Sequence, residues 1–293
     1  MKLYTINTGN FKLDGGAMFG VVPKSIWNRI NPADENNMCT WALRCLLIEE
    51  GNRLILIDNG IGNKQDEKFF RHYYLHGDDS LDSSLAKQGF HRDDITDVFL
   101  THLHFDHCGG SIAREGERLI PAFKNAVYWS NKAHWDWAVN PNDREKASFL
   151  KENILPIAES GQLKFVETPA LTDAGQGVEE GPLPLISFTE NIGIRTVNGH
   201  TQKMMLPQIR YKEKTLVYMA DLLPSHGHIP IPYVMAYDMF PLTTLQEKKS
   251  FLEEAVTQDY ILYFEHDAAR ECCTLERTEK GIRPKDFLSL AEL

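Results

Sequence analysis

The most informative feature of this sequence is a run of four potential metal ligands, His102-x-His104-x-Asp106-His107. It follows the apolar stretch 97–101, which has the composition of a buried strand. A strand fixes the position of the loop that follows it, and such loops often carry functional residues. We expect His102 and His104 to lie on one side of an extended turn, with Asp106 and His107 offset toward a second ion. Imidazole and carboxylate groups bind zinc and similar divalent ions without thiolates.

Three further polar residues end apolar runs later in the chain: His200, Asp221 and His266. Alone, each is as consistent with a solvated loop residue as with a ligand. Together with the first motif they supply five imidazoles and two carboxylates, which is enough to hold two divalent ions. The sequence therefore predicts a binuclear metal site.

Composition describes an acidic globular chain of 293 residues, with 31 basic and 41 acidic side chains and a net charge of −10. This balance argues against a nucleic-acid partner, which needs clustered Lys and Arg. The first residues contain no apolar segment of the secretory kind, and no run of about 20 apolar residues predicts a membrane span. We therefore expect a cytoplasmic protein that does not bind membranes. Without a linker, repeat or low-complexity tract, we expect a single domain over residues 1–293.

The five cysteines are sparse and irregularly spaced, so they indicate neither a disulfide framework nor a CxxC zinc site. We expect reduced, mostly buried thiols. Cys108 lies beside the metal motif, but the histidines and aspartates already suffice as ligands.

Apolar runs bounded by Gly, Asn or Asp predict strands. These runs are Lys2–Thr8, Ala42–Glu49, Arg53–Asp58, Asp97–His102, Ala126–Trp129, Gly193–Asn198, Met204–Tyr211, Thr215–Asp221 and Tyr260–Glu265. Helical periodicity predicts helices at Gln65–Leu75, Ser80–Lys87, Asn131–Val139, Arg144–Glu159 and Thr244–Thr257. The predicted N-caps are Asp79, Asn131 and Thr243. A hairpin turn is expected at 50–52, and 172–184 is the most loop-like stretch. The alternation of strands and helices predicts two packed α/β layers.

The ligand pattern resembles the metallo-β-lactamase superfamily, and the resemblance covers nearly the whole chain. It implies an αββα sandwich. It also implies two ligand sets and a bridge: His102, His104 and His200 for one ion; Asp106, His107 and His266 for the other; and Asp221 between them. Asp58, in a turn similar to the family's Asp-x-Gly turn, would support the ligands through hydrogen bonds.

Within the superfamily, the chain is most similar to N-acyl-homoserine lactone lactonases, the quorum-quenching enzymes. The stretches 13–24, 219–226 and 234–238 carry this similarity. His107 and Asp221 differ from the Arg and Cys of the common class B β-lactamases. One departure concerns 199–204, which lacks the second Gly-His that many members have after the third ligand. That departure affects the local loop and the subfamily, not metal binding.

The resemblance implies hydrolysis of a small-molecule ester or lactone. Two ions lower the pKa of a water toward neutrality, and the resulting hydroxide can attack a lactone carbonyl. Asp106 is a candidate to carry a proton to the leaving oxygen. His226 is a second catalytic candidate, as an acid or hydrogen-bond donor, although it is equally consistent with a surface-loop histidine. His228 is better explained as structural.

Met18 and Phe19 are candidates to line an acyl-chain pocket, because flanking glycines favour a loop there. Core packing is the alternative for them and for most of the neighbouring apolar residues. Trp135 and Trp137 are expected in the core or on a dimer face, so a homodimer is left open.

Two other functions fit the same residues. The same site would serve phosphotriester or phosphodiester hydrolysis, because a hydroxide can also attack phosphorus. A metal-binding protein without catalysis is the third alternative, against which the intact ligand set argues. Two ions per chain are expected, with zinc favoured, although manganese, iron and cobalt also accept N and O ligands.

Overall fold

A computed structural model describes residues 1–169 and 183–293. The predicted loop 172–184 lies outside the described residues, except for its last two positions. The strands are β1 Lys2–Asp14, β2 Met38–Glu50, β3 Arg53–Ile57, β4 Asp97–Phe99, β5 Ile112–Glu115, β6 Arg118–Pro121, β7 Val127–Ser130, β8 Leu163–Phe165, β9 Ile186–Ser187, β10 Ile192–Val197, β11 Met204–Tyr211, β12 Lys214–Tyr218, β13 Ile261–Tyr263, β14 Cys272–Thr278 and β15 Gly281–Leu288. The helices are α1 Gly15–Phe19, α2 Lys24–Trp27, α3 Glu67–Phe70, α4 Leu81–Lys87, α5 Phe105–Cys108, α6 Lys132–Val139, α7 Lys151–Glu159 and α8 Pro241–Thr257.

The chain forms two compact units. Unit 1 comprises Met1–Phe11 and Ala42–Glu167, and unit 2 comprises Lys12–Trp41 and Thr168–Leu293. Each unit therefore draws on two segments of the chain. The single domain expected over residues 1–293 stays a prediction.

Unit 1 is built on a six-stranded sheet in the order β1-β2-β3-β4-β7-β8. Strands β2 and β3 form the predicted hairpin, and Gly51 in its turn has a φ of 61°, which glycine adopts without steric cost. Strands β3, β4, β7 and β8 are mutually parallel. Strand β4 lies between two parallel neighbours and is completely buried. The loop that follows β4 therefore begins at a fixed position.

The core of unit 1 consists of apolar side chains from this sheet and from the helices beside it. Leu56 and Val98 of the sheet belong to one buried cluster with Leu85 of α4, Trp135 of α6 and Ile157 of α7. The apolar faces of these helices are therefore buried against the sheet.

Unit 2 is built on a seven-stranded sheet in the order β15-β14-β13-β12-β11-β10-β9. Strands β9 to β12 pair antiparallel in sequence order, whereas β12 and β13 are parallel. Helix α8 connects these two parallel strands. The ends of β12 and β13 therefore lie at the same edge of the sheet.

The structure corrects several predicted boundaries. The helix predicted at 144–159 begins only at Lys151, because the Asn142 side chain accepts the backbone N–H groups of Arg144 and Glu145 and holds a turn. The helix predicted at 65–75 is reduced to α3. Ser80, rather than Asp79, caps α4.

Helix α8 begins earlier than predicted. Its first residue is Pro241, which suits the first helical turn because the missing N–H has no partner there, and Phe240 rather than Thr243 is its N-cap. The cap predicted at Asn131 is confirmed. Within the described residues, no helix has the length and apolar character needed to cross a membrane.

Candidate metal centre

The first metal motif lies in unit 1, directly after β4. Helix α5 is a single turn that carries Asp106 and His107, and all four predicted ligands of the motif are buried. The backbone between them is held from outside, since the Leu103 N–H donates to His134 Nε2 on α6 at 2.9 Å. The ligands are thus fixed by a strand before them and a helix beside them.

Asp58 connects the residue before this motif to the last residue of the motif through three hydrogen bonds. It follows β3 with a φ of 55°, and its side chain is fully buried. Its Oδ1 accepts the Thr101 backbone N–H at 2.8 Å, and its Oδ2 accepts the Thr101 hydroxyl at 2.6 Å. Its Oδ2 also accepts His107 Nδ1–H at 3.1 Å. The supporting role predicted for Asp58 stays a prediction, but its contacts are those that the role requires.

Hydrogen bonds to neighbouring residues determine which ring nitrogen of His102 and of His104 carries a hydrogen. The Thr101 hydroxyl donates to Asp58, so it accepts from His102 Nδ1 at 3.1 Å. His104 Nε2 donates to Glu145 Oε1 at 3.0 Å. The other nitrogens, His102 Nε2 and His104 Nδ1, are then left with lone pairs and face each other at 3.1 Å.

A similar pairing occurs at His107. Because His107 Nδ1 donates to Asp58, His107 Nε2 has a lone pair and lies 3.8 Å from Asp106 Oδ2. Lone pairs that face one another repel unless a cation lies between them. Unit 1 therefore presents two pairs of acceptor atoms that suit a positive charge.

The glycines after the motif allow a close approach of two backbones. A Cβ on Gly109 would lie 2.1 Å from the Ile61 carbonyl oxygen, and one on Gly110 would lie 2.3 Å from the Asn59 carbonyl oxygen. The Lys64 ammonium donates to the Gly109 carbonyl at 2.5 Å, and burial lowers the pKa of Lys64 to about 8. The turn after Asp58 is thus interlocked with the end of the metal motif.

The other three predicted ligands lie in unit 2, where Asp221 stands between two histidines. Its Oδ2 is 3.1 Å from His200 Nε2, and its Oδ1 is 3.2 Å from His266 Nε2. All three side chains are buried. Asp221 comes shortly after β12 and His266 shortly after β13, so the parallel pairing of these strands brings them to one sheet edge. Each oxygen of the carboxylate is directed at a different imidazole.

Two further carboxylates hold His200 and the two residues before it. Its Nδ1 donates to Asp238 Oδ1 at 2.9 Å. On α8, the buried Glu247 accepts the backbone N–H groups of Asn198 at 2.6 Å and Gly199 at 3.0 Å. Burial alone lowers the pKa of His200, but Asp221 and Asp238 raise it more, and the net pKa is raised to about 10. The surroundings of His200 therefore favour a positive charge.

The donor set in both units fits divalent metal ions. All seven predicted ligands belong to buried groups of histidine and carboxylate side chains that could hold a metal ion. Four of the histidines direct one ring nitrogen to a side-chain partner outside the ligand set and the other toward another ligand. That division of roles is typical of histidines that bind metals. The residues present thus fit the predicted metal, with imidazole and carboxylate donors that zinc accepts.

Cys108 is not part of this donor set. Its thiol is fully buried and donates to the Leu103 carbonyl at 3.3 Å. Burial raises the pKa of Cys108 to about 12, so the group is a thiol and not a thiolate at neutral pH. All five cysteines are reduced and buried, as predicted.

The two histidines after Asp221 have different environments. His228 is buried, its Nε2 donates to the Met18 carbonyl at 2.9 Å, and its Nδ1 accepts from the Ser225 hydroxyl at 2.8 Å. Burial lowers the pKa of His228 to about 3, so the ring is neutral and structural. His226 is partly exposed, and its Nδ1 lies 2.5 Å from Asp267 Oδ2.

Met18 and Phe19 lie in the short helix α1 rather than in the predicted loop. Both are buried, and the Phe19 ring stacks on Trp27 and on His228 with centroid distances of 5.4 Å and 4.7 Å. The Asp14 carboxylate caps this helix by accepting the Ala17 N–H, which explains why the chain turns there. The assignment of Met18 and Phe19 to an acyl pocket stays a prediction.

Trp135 and Trp137 on α6 also have defined places. Trp135 belongs to the core of unit 1. The Trp137 indole N–H donates to Glu145 Oε2 at 2.6 Å, and the other oxygen of Glu145 holds His104. Trp137 therefore orients a predicted ligand, His104, through Glu145, and the homodimer stays a prediction.

Sequence reasoning did not identify four carboxylates that support the site: Glu145, Asp238, Glu247 and Asp267. All four lie far along the chain from the group that they hold, and no local pattern distinguishes them among 41 acidic residues. Asp238 had one signal, since it ends the stretch 234–238 that carries the similarity to lactonases. Asp267 directly follows a predicted ligand.

Comparison with known proteins identifies the family of this chain. The family profile described as the metallo-beta-lactamase superfamily matches residues 44–266. N-acyl homoserine lactonases from Bacillus thuringiensis and Bacillus cereus are each 26% identical to this chain over 165 residues, which are 53% of this chain and 56% of each lactonase. The chain thus spans only a little over half the length of these curated relatives.

Solved structures match over a greater length. A probable metal-dependent hydrolase from Staphylococcus aureus has a TM-score of 0.84 and 27% identity, covering 98% of this chain and 96% of that one. The dizinc quorum-quenching lactonase AidC has a TM-score of 0.75 and 20% identity, covering 98% and 95%. These likenesses confirm the predicted α/β fold of the metallo-β-lactamase type.

Proposed function

This chain belongs to the metallo-β-lactamase superfamily, and on that premise we propose that it is a hydrolase that opens lactone rings with two divalent metal ions. The N-acyl-homoserine lactones are the substrate class that we favour, because the curated relatives are lactonases. A neutral ring ester also suits an acidic chain better than a polyanion would.

The observation that carries the proposal is the position of Asp221. Its two oxygens face His200 Nε2 and His266 Nε2 at 3.1 Å and 3.2 Å, so one carboxylate is directed toward two separate donor positions. A residue placed in this way can serve two ions at once. We propose that it bridges them.

The remaining ligands would divide between the two ions as the family resemblance implies. One ion would be held by His102, His104 and His200, and the other by Asp106, His107 and His266. When bound, two such ions supply a Lewis acid and lower the pKa of water toward neutrality. We favour zinc.

The protein's own groups hold this arrangement in place. Asp58, Glu145 and Asp238 each accept a hydrogen from a ligand histidine. They fix the tautomer of each ring so that the other nitrogen keeps its lone pair. Asp106 stays a candidate to carry a proton to the leaving oxygen, as the family resemblance implies.

A substrate screen and elemental analysis test the proposal together. Protein purified without chelator should contain about two ions per chain, and Asp221→Ala should lower both metal content and rate. Metal-loaded protein should open N-hexanoyl-homoserine lactone in preference to aryl phosphotriesters and phosphodiesters. Cleavage of a phosphoester with no lactone opening would replace the proposal by the phosphoesterase alternative. Full metal content without turnover of lactones, esters or phosphoesters would support a non-catalytic protein.

A further inference from the structure

A second pair of titratable side chains lies beside the predicted ligands of unit 2. His226 Nδ1 and Asp267 Oδ2 are 2.5 Å apart, and the same carboxylate oxygen accepts the His226 backbone N–H at 2.9 Å. Asp267 is buried, whereas the His226 side chain is 22% exposed. The carboxylate is therefore fixed, and the imidazole is within reach of solvent.

Chain connectivity places Asp267 next to a predicted ligand and His226 in the loop that follows another. Asp267 directly follows His266, so their Cα atoms are about 3.8 Å apart. His226 comes five residues after Asp221. The two loops are also joined by a backbone hydrogen bond, in which the His266 N–H donates to the Pro224 carbonyl at 3.2 Å.

Other contacts keep the pair rigid. The second oxygen of Asp267 accepts the backbone N–H groups of Ala269 at 2.9 Å and Arg270 at 2.8 Å. The His226 ring lies edge-on to Phe287 of β15, with centroids 5.2 Å apart. The Arg270 guanidinium covers the same Phe287 ring at 4.5 Å. The imidazole is thus held by one ion-pair partner and one aromatic face.

These contacts decide which nitrogen of His226 is available. Because Asp267 can only accept, Nδ1 carries a hydrogen, and the ring presents Nε2 as the atom that gives or takes a proton. Among the described residues, Nε2 has no hydrogen-bond partner. A histidine oriented by a carboxylate, with its far nitrogen available, is the arrangement of a general acid–base catalyst.

We propose that His226 donates the proton that the leaving oxygen needs, and that Asp267 is the positioning residue for His226. This assignment rests on the proposed hydrolytic function. In ring opening, water gives one proton to the solvent, and its hydroxyl bonds to the acyl carbon. The bond between that carbon and the ring oxygen breaks, and its electrons stay on the ring oxygen. That oxygen takes the proton from His226 Nε2 and leaves as an alcohol, after which the new acid ionises and the imidazole regains a proton from water.

The test compares two substrates that differ in one atom. N-hexanoyl-homoserine lactone leaves through an alkoxide oxygen, a strong base that needs a proton. The matched thiolactone, N-hexanoyl-homocysteine thiolactone, leaves through a thiolate, whose conjugate acid has a pKa of about 8.5 and which departs without one. A missing proton donor should therefore slow only the lactone.

We expect His226→Gln to lower kcat/KM about 100-fold or more on the lactone, and by less than about tenfold on the thiolactone. Asp267→Asn should lower the two rates in the same pattern, because an amide has one acceptor oxygen and cannot serve both His226 and the backbone N–H groups of Ala269 and Arg270. His72→Gln, at an exposed histidine, is the matched control and should change neither rate. Elemental analysis should show unchanged metal content in all three variants.

Both rates are measured on one protein sample, so partial unfolding of a variant lowers them by the same factor and leaves their ratio unchanged. Equal losses on lactone and thiolactone would overturn the assignment and leave the proton with Asp106. Loss of metal from His226→Gln would also overturn it, by showing a role in metal binding. A parent protein that opens neither ring would overturn the proposed function, and this assignment with it.

Discussion

Replacing Asp58 by asparagine tests whether Asp58 determines which nitrogen of His107 keeps a lone pair for the predicted metal. Asp58 Oδ2 accepts from the Thr101 hydroxyl and from His107 Nδ1, whereas Oδ1 accepts the Thr101 N–H. In Asp58→Asn, the amide oxygen can keep the backbone bond, and the NH2 group then takes the place of Oδ2. An NH2 group only donates, so His107 Nδ1 must accept. The ring hydrogen moves to Nε2, the atom that faces Asp106.

Loss of such a supporting hydrogen bond costs about 10–100-fold in metal affinity. That range corresponds to about 1.4–2.7 kcal/mol. A lost hydrogen bond to a buried charged group should also lower the free energy of unfolding of the metal-free protein by about 1.5–3 kcal/mol. Zinc affinity is measured by competition with a chromophoric chelator, and stability by urea unfolding in the presence of EDTA.

Asp97→Asn is the matched control, because Asp97 is a buried aspartate at the start of β4, the strand that leads to the motif. It accepts from Arg53 at 2.7 Å and from the Trp129 indole at 2.8 Å, and it contacts no predicted ligand. We expect a comparable loss of stability with unchanged zinc affinity. The reasoning is refuted if Asp58→Asn binds zinc as tightly as the parent, or if both variants lose affinity equally.

Three further predictions concern unit 2. Glu247→Gln leaves one of two buried N–H groups without its acceptor, so urea unfolding should show a loss of about 1–3 kcal/mol in the free energy of unfolding. Glu253→Gln, on the exposed face of α8, should change that free energy little. Equal effects of the two substitutions would contradict this prediction. Burial lowers the pKa of Lys248 to about 7 from 10.5, so the unfolded chain binds more protons between these values and stability should rise with pH across that window. Urea midpoints should rise less with pH in Lys248→Met than in Lys249→Met, and equal rises in the two variants would be evidence against this prediction. If Phe19 lines an acyl pocket, Phe19→Ala should cost about 1–3 kcal/mol in kcat/KM for long acyl chains and much less for short ones, and an equal loss at every length would indicate a packing role.

All seven predicted ligands lie in buried groups that could hold a metal ion, and the sequence pointed to them because their chemistry is concentrated. Four of them occupy six consecutive positions after a buried strand, and the others end apolar runs of the second half. Strand ends are readable because a continuous apolar run stops where the chain leaves the sheet. The same logic found the hairpin at Gly51 and the cap at Asn131.

The supporting contacts could not be predicted from the sequence, because tertiary packing brings their partners together. Glu145 is 41 residues from the histidine that it holds, and Asp238 is 38 residues from His200. Strands β14 and β15 were missed for a different reason. The second half of β14 is exposed, as at Glu276 and Arg277, and β15 has no buried residue, so no continuous apolar run marks them. Helix 144–159 was predicted too long, because the Asn142 turn competes locally with helix formation.

The interlocked turn at Asn59–Gly62 and Gly109–Gly110 has a consequence for how metal enters the protein. Backbone hydrogen bonds hold that framework, from the Gly110 N–H to the Gly60 carbonyl at 3.0 Å and from the Asn59 N–H to the His107 carbonyl at 2.9 Å. We therefore expect the scaffold to form without a cation, unlike a zinc finger, whose folding depends on its ion. We expect a chelator to strip the metal without unfolding the chain, and the stripped protein to reload reversibly. Since nitrogen and oxygen donors accept several divalent ions, the ion carried in a cell would then depend on local supply as well as on the site.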